Sequence, residues 1–402
     1  AMRVLGVAYR EFGAIPEGGD PGRFEEGLTF AGLLAMIDPP REEARAAVAE
    51  CARSGIKTVM ITGDHKNTAV AVARALGFFH EGSRALTGVE LDAVAEGPFR
   101  EMVEEVAVYA RVSPEHKLRI VRAWRARGNV VAMTGDGVND APALKEADIG
   151  VAMGITGTDV AKEVADMVIT DDNFASIVAA VEEGRGIYDN ILKFIHYLVS
   201  CNTGEILVMF VSSLAGLPLP LLPVQILWVN LVTDGLPALA LGMDPPDPGL
   251  MERPPRRAGE AVIGRGRGLL MLAQGCFIAA CSLAAFVYIL RVEGEGIERA
   301  RTGAFIVLSV SQLFHSFNCR SMTESIFRLG FLTNTRLVLA AIVSFLLQMA
   351  VVYLPFLRGV FKTSPLSAHD WCLVLAVSSF PLWAMEAVKL LGRVRGSSPA
   401  DA

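Results

Sequence analysis

The sequence predicts two structural classes in series: an α/β domain built on a parallel sheet, followed by an all-α bundle of six transmembrane helices. Three observations predict it. Up to about residue 190, short apolar runs alternate with amphipathic helical segments. Beyond that point apolar stretches of roughly 18 to 24 residues recur, each long enough to cross a bilayer. The charge divides at the same place: residues 1–190 hold 20 Lys and Arg against 30 Asp and Glu, and residues 191–402 hold 17 against 13. With 52% hydrophobic and 20% charged residues, the chain is too apolar for a disordered protein or an ordinary soluble enzyme. A net charge of -6 excludes a general nucleic-acid binder, so no nucleic-acid partner is expected.

The elements follow in order. Val4 to Tyr9 is an apolar run that needs strand partners. Arg41 to Ser54 reads as a helix with Ala44, Val48 and Cys51 on one stripe. Ile56 to Ile61 reads as a buried strand ending at Thr62-Gly63-Asp64, and a helix then runs through Ala75 until Gly77 stops it. Val106 to Tyr109 is a further strand, and Pro114 opens a helix to Arg127. Asn129 to Met133 is a strand ending at TGDGVNDAP, with a helix from there to Ala147. Ile149 to Met153 and Met167 to Thr170 are two more short strands. Such alternation builds a parallel sheet with helices on both faces.

Both polar clusters, Thr62-Gly63-Asp64 and Thr134 to Asp140, leave carboxyl ends of strands, where α/β sheets bind their ligands. For Thr62-Gly63-Asp64 alone a plain turn is an equally good reading, since Gly and Asp are common turn formers. TGDGVND carries more information. Asp136 and Asp140 offer hard oxygen ligands for Mg2+, with backbone N–H groups nearby for a phosphoryl oxygen. Thr62 could donate its hydroxyl to that phosphoryl group, and Lys117 could add positive charge. On its own, Lys117 would be a solvated helix side chain.

The apolar stretches lie near 193–215, 223–242, 269–290, 303–320, 333–354 and 370–391. Six spans place both chain ends on one side. The loop 243–268 carries Arg253, Arg256, Arg257, Arg265 and Arg267, and the tail carries Lys389, Arg393 and Arg395, whereas the loop 216–222 has no Lys or Arg. That bias puts residues 1–190 and the carboxyl end in the cytoplasm. Polar residues inside spans are costly and mark function. Asn202 and Glu205 stand at i and i+3, and Asn230, Thr233 and Asp234 at i, i+3 and i+4, each set on one helix face. Their carboxylate, amide and hydroxyl oxygens suit Ca2+ rather than soft metals. Gly235 and Pro237 would weaken the helix beside them and free backbone carbonyls. The competing reading is interhelical hydrogen bonding, which fits Asn202 or Thr233 alone but accounts poorly for two buried carboxylates. Six scattered cysteines with no C-x-x-C pair read as reduced core or lipid-facing residues. His315 reads as a packing or hydrogen-bonded residue.

These residues carry a family resemblance. Thr62-Gly63-Asp64, Lys117 and TGDGVNDAPAL, in that order, resemble the later motifs of the Rossmann-like, haloacid dehalogenase-type phosphoryl-transfer fold. TGDGVNDAPALKEADIGVAMG at 134–154 resembles its P-type ATPase branch, and DPPR at 38–41 the hinge where the nucleotide-binding domain of those pumps rejoins the phosphorylation domain. NTGE at 202–205 and NLVTDGLPA at 230–238 resemble the fifth and sixth membrane helices of the calcium-transporting subgroup. The resemblance implies three parts: the tail of a nucleotide-binding domain at 1–37, a phosphorylation domain at 38–190 lacking its nucleophile strand, and a transmembrane domain at 191–402. It implies a catalytic set of Thr62, Gly63, Asp64, Lys117, Asp136, Asn139 and Asp140. Within it Asp136 binds Mg2+ with Asp140 and Asn139 in support, and Thr62 and Lys117 hold the phosphoryl group. ATP would meet Thr62, Gly63, Asp64, Arg41 and Lys117. Asn230 and Asp234 would form one cation site. Asn202, Glu205 and Thr233 would form a second, where the eighth membrane helix brings Gln312 in place of the family's glutamate.

The family's phosphorylated aspartate lies in an Asp-Lys-Thr-Gly-Thr motif that also supplies a central strand, and this sequence contains no such motif. The chain is therefore expected to be the carboxyl-terminal portion of an ATP-driven Ca2+ pump, inactive by itself. Its partners would be the lipid bilayer and the amino-terminal part of the same pump: the actuator domain, the first four membrane helices and the phosphorylated aspartate. The alternatives are a pump for another divalent cation such as Mn2+, or a catalytically dead or split-pump module that binds Mg2+ or phosphate. A multi-pass protein of a bacterial plasma membrane is expected.

Overall fold

The computed structural model describes residues 3–12, 22, 25–36, 39–247, 249–256, 259–294 and 296–395. The expected boundary at 37/38 with Asp38, Arg257, the side chains of Arg393 and Arg395, and the tail from Gly396 lie outside the described residues. The chain divides into two compact units, residues 1–182 with 251–260 and residues 183–250 with 261–402.

In the first unit β1 (Arg3–Tyr9) and β2 (Thr29–Met36) pair antiparallel, which supplies the partner that the first apolar run needs. After α1 (Glu42–Arg53) come β3 (Met60–Thr62), α2 (Lys66–Leu76), β4 (Arg84–Thr87), α3 (Gly88–Asp92), α4 (Glu96–Met102) and β5 (Val106–Ala110). Then follow α5 (Pro114–Ala126), β6 (Ala132–Gly135), α6 (Ala141–Glu146), β7 (Ile149–Met153), α7 (Asp159–Val164) and β8 (Met167–Ile169). Local chemistry sets these ends. Gly77 closes α2 with φ +90, and Pro114 opens α5 behind a Ser113–His116 capping box. All five residues of β5 are buried, as a central parallel strand requires.

The parallel pairing is as expected, but the single sheet is not. The strands form two three-stranded parallel sheets, ordered β3-β5-β4 and β6-β7-β8. Among the described residues β3 and β6 each pair on one side only. No ladder joins the two triplets among the described residues. β3 is also shorter than the apolar run Ile56–Ile61, because its ladder with β5 covers only Met60 to Thr62.

A 41-residue helix, α8 (Phe174–Leu214), opens in the first unit and continues into the second. The second unit holds α9 (Pro223–Trp228), a π-helical turn at Val229–Thr233, α10 (Gly235–Leu241), and α11 (Arg265–Val287) extended by a π-turn to Val292. Next come α12 (Ile297–Asn318), α13 (Ile326–Leu329), α14 (Thr335–Tyr353), α15 (Pro355–Phe361) and α16 (Ala368–Arg395). Five helical stretches are long and apolar enough to cross a membrane: Phe174–Leu214, Pro223–Leu241, Arg265–Val292, Thr335–Tyr353 and Ala368–Leu391. The expected span at 303–320, the fourth in order, folds as α12 but is not among the five. Ser309, Ser311, Gln312, His315, Ser316 and Asn318 dilute its apolarity, and sixteen of its 22 residues are buried, so it is shielded inside the bundle. The core there mixes Val208 of α8, Ile278 of α11, Phe305 to Leu308 of α12, Val351 of α14 and Val374 of α16.

A small residue lets α11 pack tightly against α8. A Cβ on Gly275 of α11 would stand 2.7 Å from the Thr203 Cβ and 2.8 Å from the Ser200 carbonyl of α8. Lys389, read from sequence as part of a basic tail, is instead buried beside Glu386 at 3.0 Å and donates to the Asn318 carbonyl at 3.4 Å. None of the six cysteines forms a disulfide, and four of them are buried.

Candidate functional site

Two loops in the first unit leave the carboxyl ends of parallel strands. After β3, Thr62 Oγ1 donates to Asp64 Oδ2 at 3.2 Å and accepts the Asp64 N–H at 3.1 Å. The Asp64 carbonyl accepts the Arg111 N–H at 3.2 Å, which ties this loop to the end of β5. After β6, the buried Asp140 organises the turn. Its Oδ2 accepts the N–H groups of Asp136 and Gly137, each at 3.2 Å, and its Oδ1 pairs with the Lys117 ammonium brought by α5. Glycine at 135 is needed for this closure, because a Cβ there would stand 2.5 Å from the Asp140 Cβ.

The geometry revises one expectation. Of the loop's backbone N–H groups, expected to serve a phosphoryl oxygen, those of Asp136 and Gly137 are given to Asp140. Both Asp140 oxygens are therefore engaged. Asp136 is exposed, and its carboxylate accepts no hydrogen bond among the described residues, so it is the group free to hold a cation. Asn139, Gly63 and Asp64 are exposed as well. Arg41 joins neither loop and donates instead to the Asp172 carbonyl at 3.1 Å.

Asp172 itself was not singled out as a functional residue by the sequence. It sits at φ +49 and accepts the Ile155 N–H at 3.0 Å and the Thr156 N–H and hydroxyl, each at 2.7 Å. These bonds, led by the Ile155 amide, hold its carboxyl down to about 2. Its role is to brace the loop after β7.

In the second unit, four helical segments bring together part of the expected cation set. Glu205 of α8 is 4% exposed, and Asp234, between the π-turn and α10, is 1% exposed. Asn230 Nδ2 donates to Glu205 Oε2 at 2.5 Å, and Gln312 Nε2 of α12 donates to Glu205 Oε1 at 2.9 Å. Asp234 Oδ1 accepts the Tyr197 hydroxyl at 3.1 Å. Asp234 Oδ2 and Gln312 Oε1 are buried without a hydrogen-bond partner among the described residues. Buried oxygens of this kind are costly unless something meets them, and a hard cation does so. Thr233 is buried, but its hydroxyl donates back to the Val229 carbonyl at 3.0 Å. Asn202 is exposed and donates to Leu198 within its own helix at 2.8 Å, outside this cluster.

The weakening of the helix expected at Gly235 and Pro237 takes the form of the π-turn. Pro237 has no N–H for the Thr233 carbonyl, and the Asp234 N–H reaches back five residues to Val229 at 2.9 Å. Tyr197 is a member that sequence reasoning missed. Tyr197, Cys201 and Glu205 recur every four residues on one face of α8, and that spacing is the signal that finds it.

Residues 218–391 match the family model described as cation transporting ATPase, C-terminus. Residues 9–148 match a haloacid dehalogenase-like hydrolase model, and residues 118–181 a second model of that description. The chain is 48% identical over 405 residues to calcium-transporting ATPase 1 of Bacillus cereus, covering 97% of this chain and 45% of the relative. It is 49% identical over 387 residues to a calcium-transporting ATPase of Bacillus subtilis, covering 96% and 43%. It is 41% identical to an endoplasmic reticulum calcium ATPase of Aspergillus fumigatus, covering 94% and 42%. The chain thus spans a little under half the length of the curated relatives it matches.

Proposed function

We propose that this chain, which belongs to the cation-transporting P-type ATPase family, carries the cation-binding half of an ATP-driven Ca2+ pump of a bacterial plasma membrane. The observation that supports the reading most is a pair of buried carboxylates, Glu205 and Asp234, in helical segments long and apolar enough to cross a bilayer. Asp234 Oδ2 and Gln312 Oε1 offer oxygens with no hydrogen-bond partner among the described residues. Turning the amides of Asn230 and Gln312 would exchange their donors for oxygens and complete an all-oxygen shell, which suits Ca2+. The carbonyl that Pro237 leaves without its helical donor adds a further oxygen in that stretch. In this reading α12 also crosses, which makes six spans, and its polar side chains are tolerated because they face the protein.

In the first unit Asp136 would hold Mg2+, and Asp140 fixes the loop and Lys117 rather than binding metal directly. Mg2+ supplies charge neutralisation for phosphoryl oxygens. Thr62 donates a hydroxyl, Lys117 contributes its charge, and Gly63 and Asp64 lie in an open loop suited to ATP. The phosphorylated aspartate, the actuator domain and the first four membrane helices belong to parts of the pump outside this sequence.

The test uses the complete pump. Asp234→Asn abolishes Ca2+-dependent phosphorylation from ATP, while phosphorylation from inorganic phosphate without Ca2+ persists. Phosphorylation from ATP with its normal Ca2+ dependence would overturn the assignment.

A further inference from the structure

A second set of metal-ligating side chains lies apart from the oxygen-lined carboxylates. One ring nitrogen of His196, one of His315 and the Cys319 Sγ lie within 4.8 Å of one another, and all three residues are buried. His196 comes from α8. His315 is in the last turn of α12 and Cys319 caps it, one turn apart and on one face. His315 Nε2 is 3.3 Å from Cys319 Sγ, and the two imidazole centroids are 6.3 Å apart.

His196 has the form of a ligand held ready. Its Nε2 is 2.6 Å from Gln274 Oε1 of α11, and the Gln274 amide nitrogen is anchored on Met385 Sδ at 3.3 Å. An amide oxygen only accepts, so Nε2 carries the proton and Nδ1 keeps its lone pair. That Nδ1 is buried with no hydrogen-bond partner among the described residues. One nitrogen fixed by an outer acceptor and the other free is the arrangement found in metal-binding histidines.

We propose that His196, His315 and Cys319 form a site for a divalent transition metal of the Zn2+ class. Two imidazoles and a thiolate suit such an ion, whereas Ca2+ and Mg2+ prefer oxygen. Cys319 binds as the thiolate and its proton leaves for solvent as the metal enters. Three protein ligands leave one tetrahedral position for water. The bound ion cross-links α8 to the end of α12. The His315 ring stacks on Tyr197 at 6.1 Å, and the Tyr197 hydroxyl donates to Asp234, so the cross-link also restrains a side chain that touches the proposed transport carboxylate. That consequence rests on the Ca2+ reading; metal binding itself does not.

Co2+ serves as the probe, titrated into the full chain in detergent without nucleotide. One Co2+ per chain is expected, with a sulfur-to-cobalt charge-transfer band in the near ultraviolet and the intense visible bands of a tetrahedral ion. Zn2+ should displace it and excess Ca2+ should not. Cys319→Ser removes the charge-transfer band, His196→Gln weakens binding at least about tenfold, and replacing the two exposed thiols, Cys276→Ser and Cys372→Ser, changes nothing. Absence of the band in the intact protein overturns the proposal, as does a band that survives Cys319→Ser and disappears with the exposed thiols. Should Cys319→Ser not fold, unchanged Co2+ affinity in His196→Gln overturns it equally.

Discussion

Asp172 shows how a single carboxylate stabilises a loop without any buried charge. It lies on the surface, yet it accepts three hydrogen bonds from Ile155 and Thr156, and these hold its carboxyl down to about 2. The folded value lies below the ordinary carboxylate value of about 4, so the stabilisation is fully present above that value. It fades as pH falls through the window from about 4 to about 2. Hydrogen exchange should therefore find the Ile155 and Thr156 amides protected at neutral pH and losing protection within that window. Asp172→Ala should remove the protection at every pH. At this scale the sequence identifies chemistry better than partners. Asp136, Asp140, Glu205 and Asp234 stand out by type and spacing. Nothing in the spacing reveals that Asp140 takes the N–H groups of its own loop, or that Gln312 reaches Glu205 across 107 positions. Asn202 belongs to the expected set by sequence, yet its exposed amide turns back to Leu198.

Among elements, a buried ionic cluster ties several helix ends of the second unit together. Asp244, 3% exposed at its side chain, pairs with Lys193 at 3.0 Å and with Arg320 at 2.9 Å, and it accepts the Asn334 amide at 2.8 Å. The Asn190 amide donates to the Asp244 carbonyl at 2.8 Å. Removing Asp244 leaves Arg320 buried without its counter-charge and Lys193 with only the half-buried Asp247 at 3.2 Å, so Asp244→Ala should destabilise the protein by about 3–5 kcal/mol. A lowered thermal midpoint of the detergent-solubilised full chain checks this; an unchanged midpoint contradicts it. Periodicity located every long helix, because some twenty apolar residues leave a strong signal. It passed over β2, β4, α3, α4, α7, α13 and α15. Of these β4, α3, α4, α7, α13 and α15 run to seven residues or fewer, and β2 exposes almost its whole length. The division of the strands into two sheets depends on pairing, which periodicity does not encode.

For the whole molecule, the family was legible because TGDGVNDAPAL, NTGE and NLVTDGLPA are long, specific strings, and the relatives match over nearly the full chain. The number of crossings was less so. α12 is long enough to span but too polar on average to be recognised by apolarity, because its neighbours, not lipid, surround it. If α12 crosses, the loop before it and the loop after it lie on opposite sides of the membrane. A thiol introduced by Glu293→Cys should then react with an impermeant reagent from outside intact cells, and one introduced by Glu324→Cys only after permeabilisation. Reaction of both from the same side contradicts six crossings.

The most direct test is equilibrium binding of radioactive Ca2+ to the complete pump in detergent. Glu205→Gln and Asp234→Asn should each weaken binding at least about tenfold, and Asn202→Ala, outside the cluster, by much less. Wild-type affinity in both carboxylate variants would contradict the account.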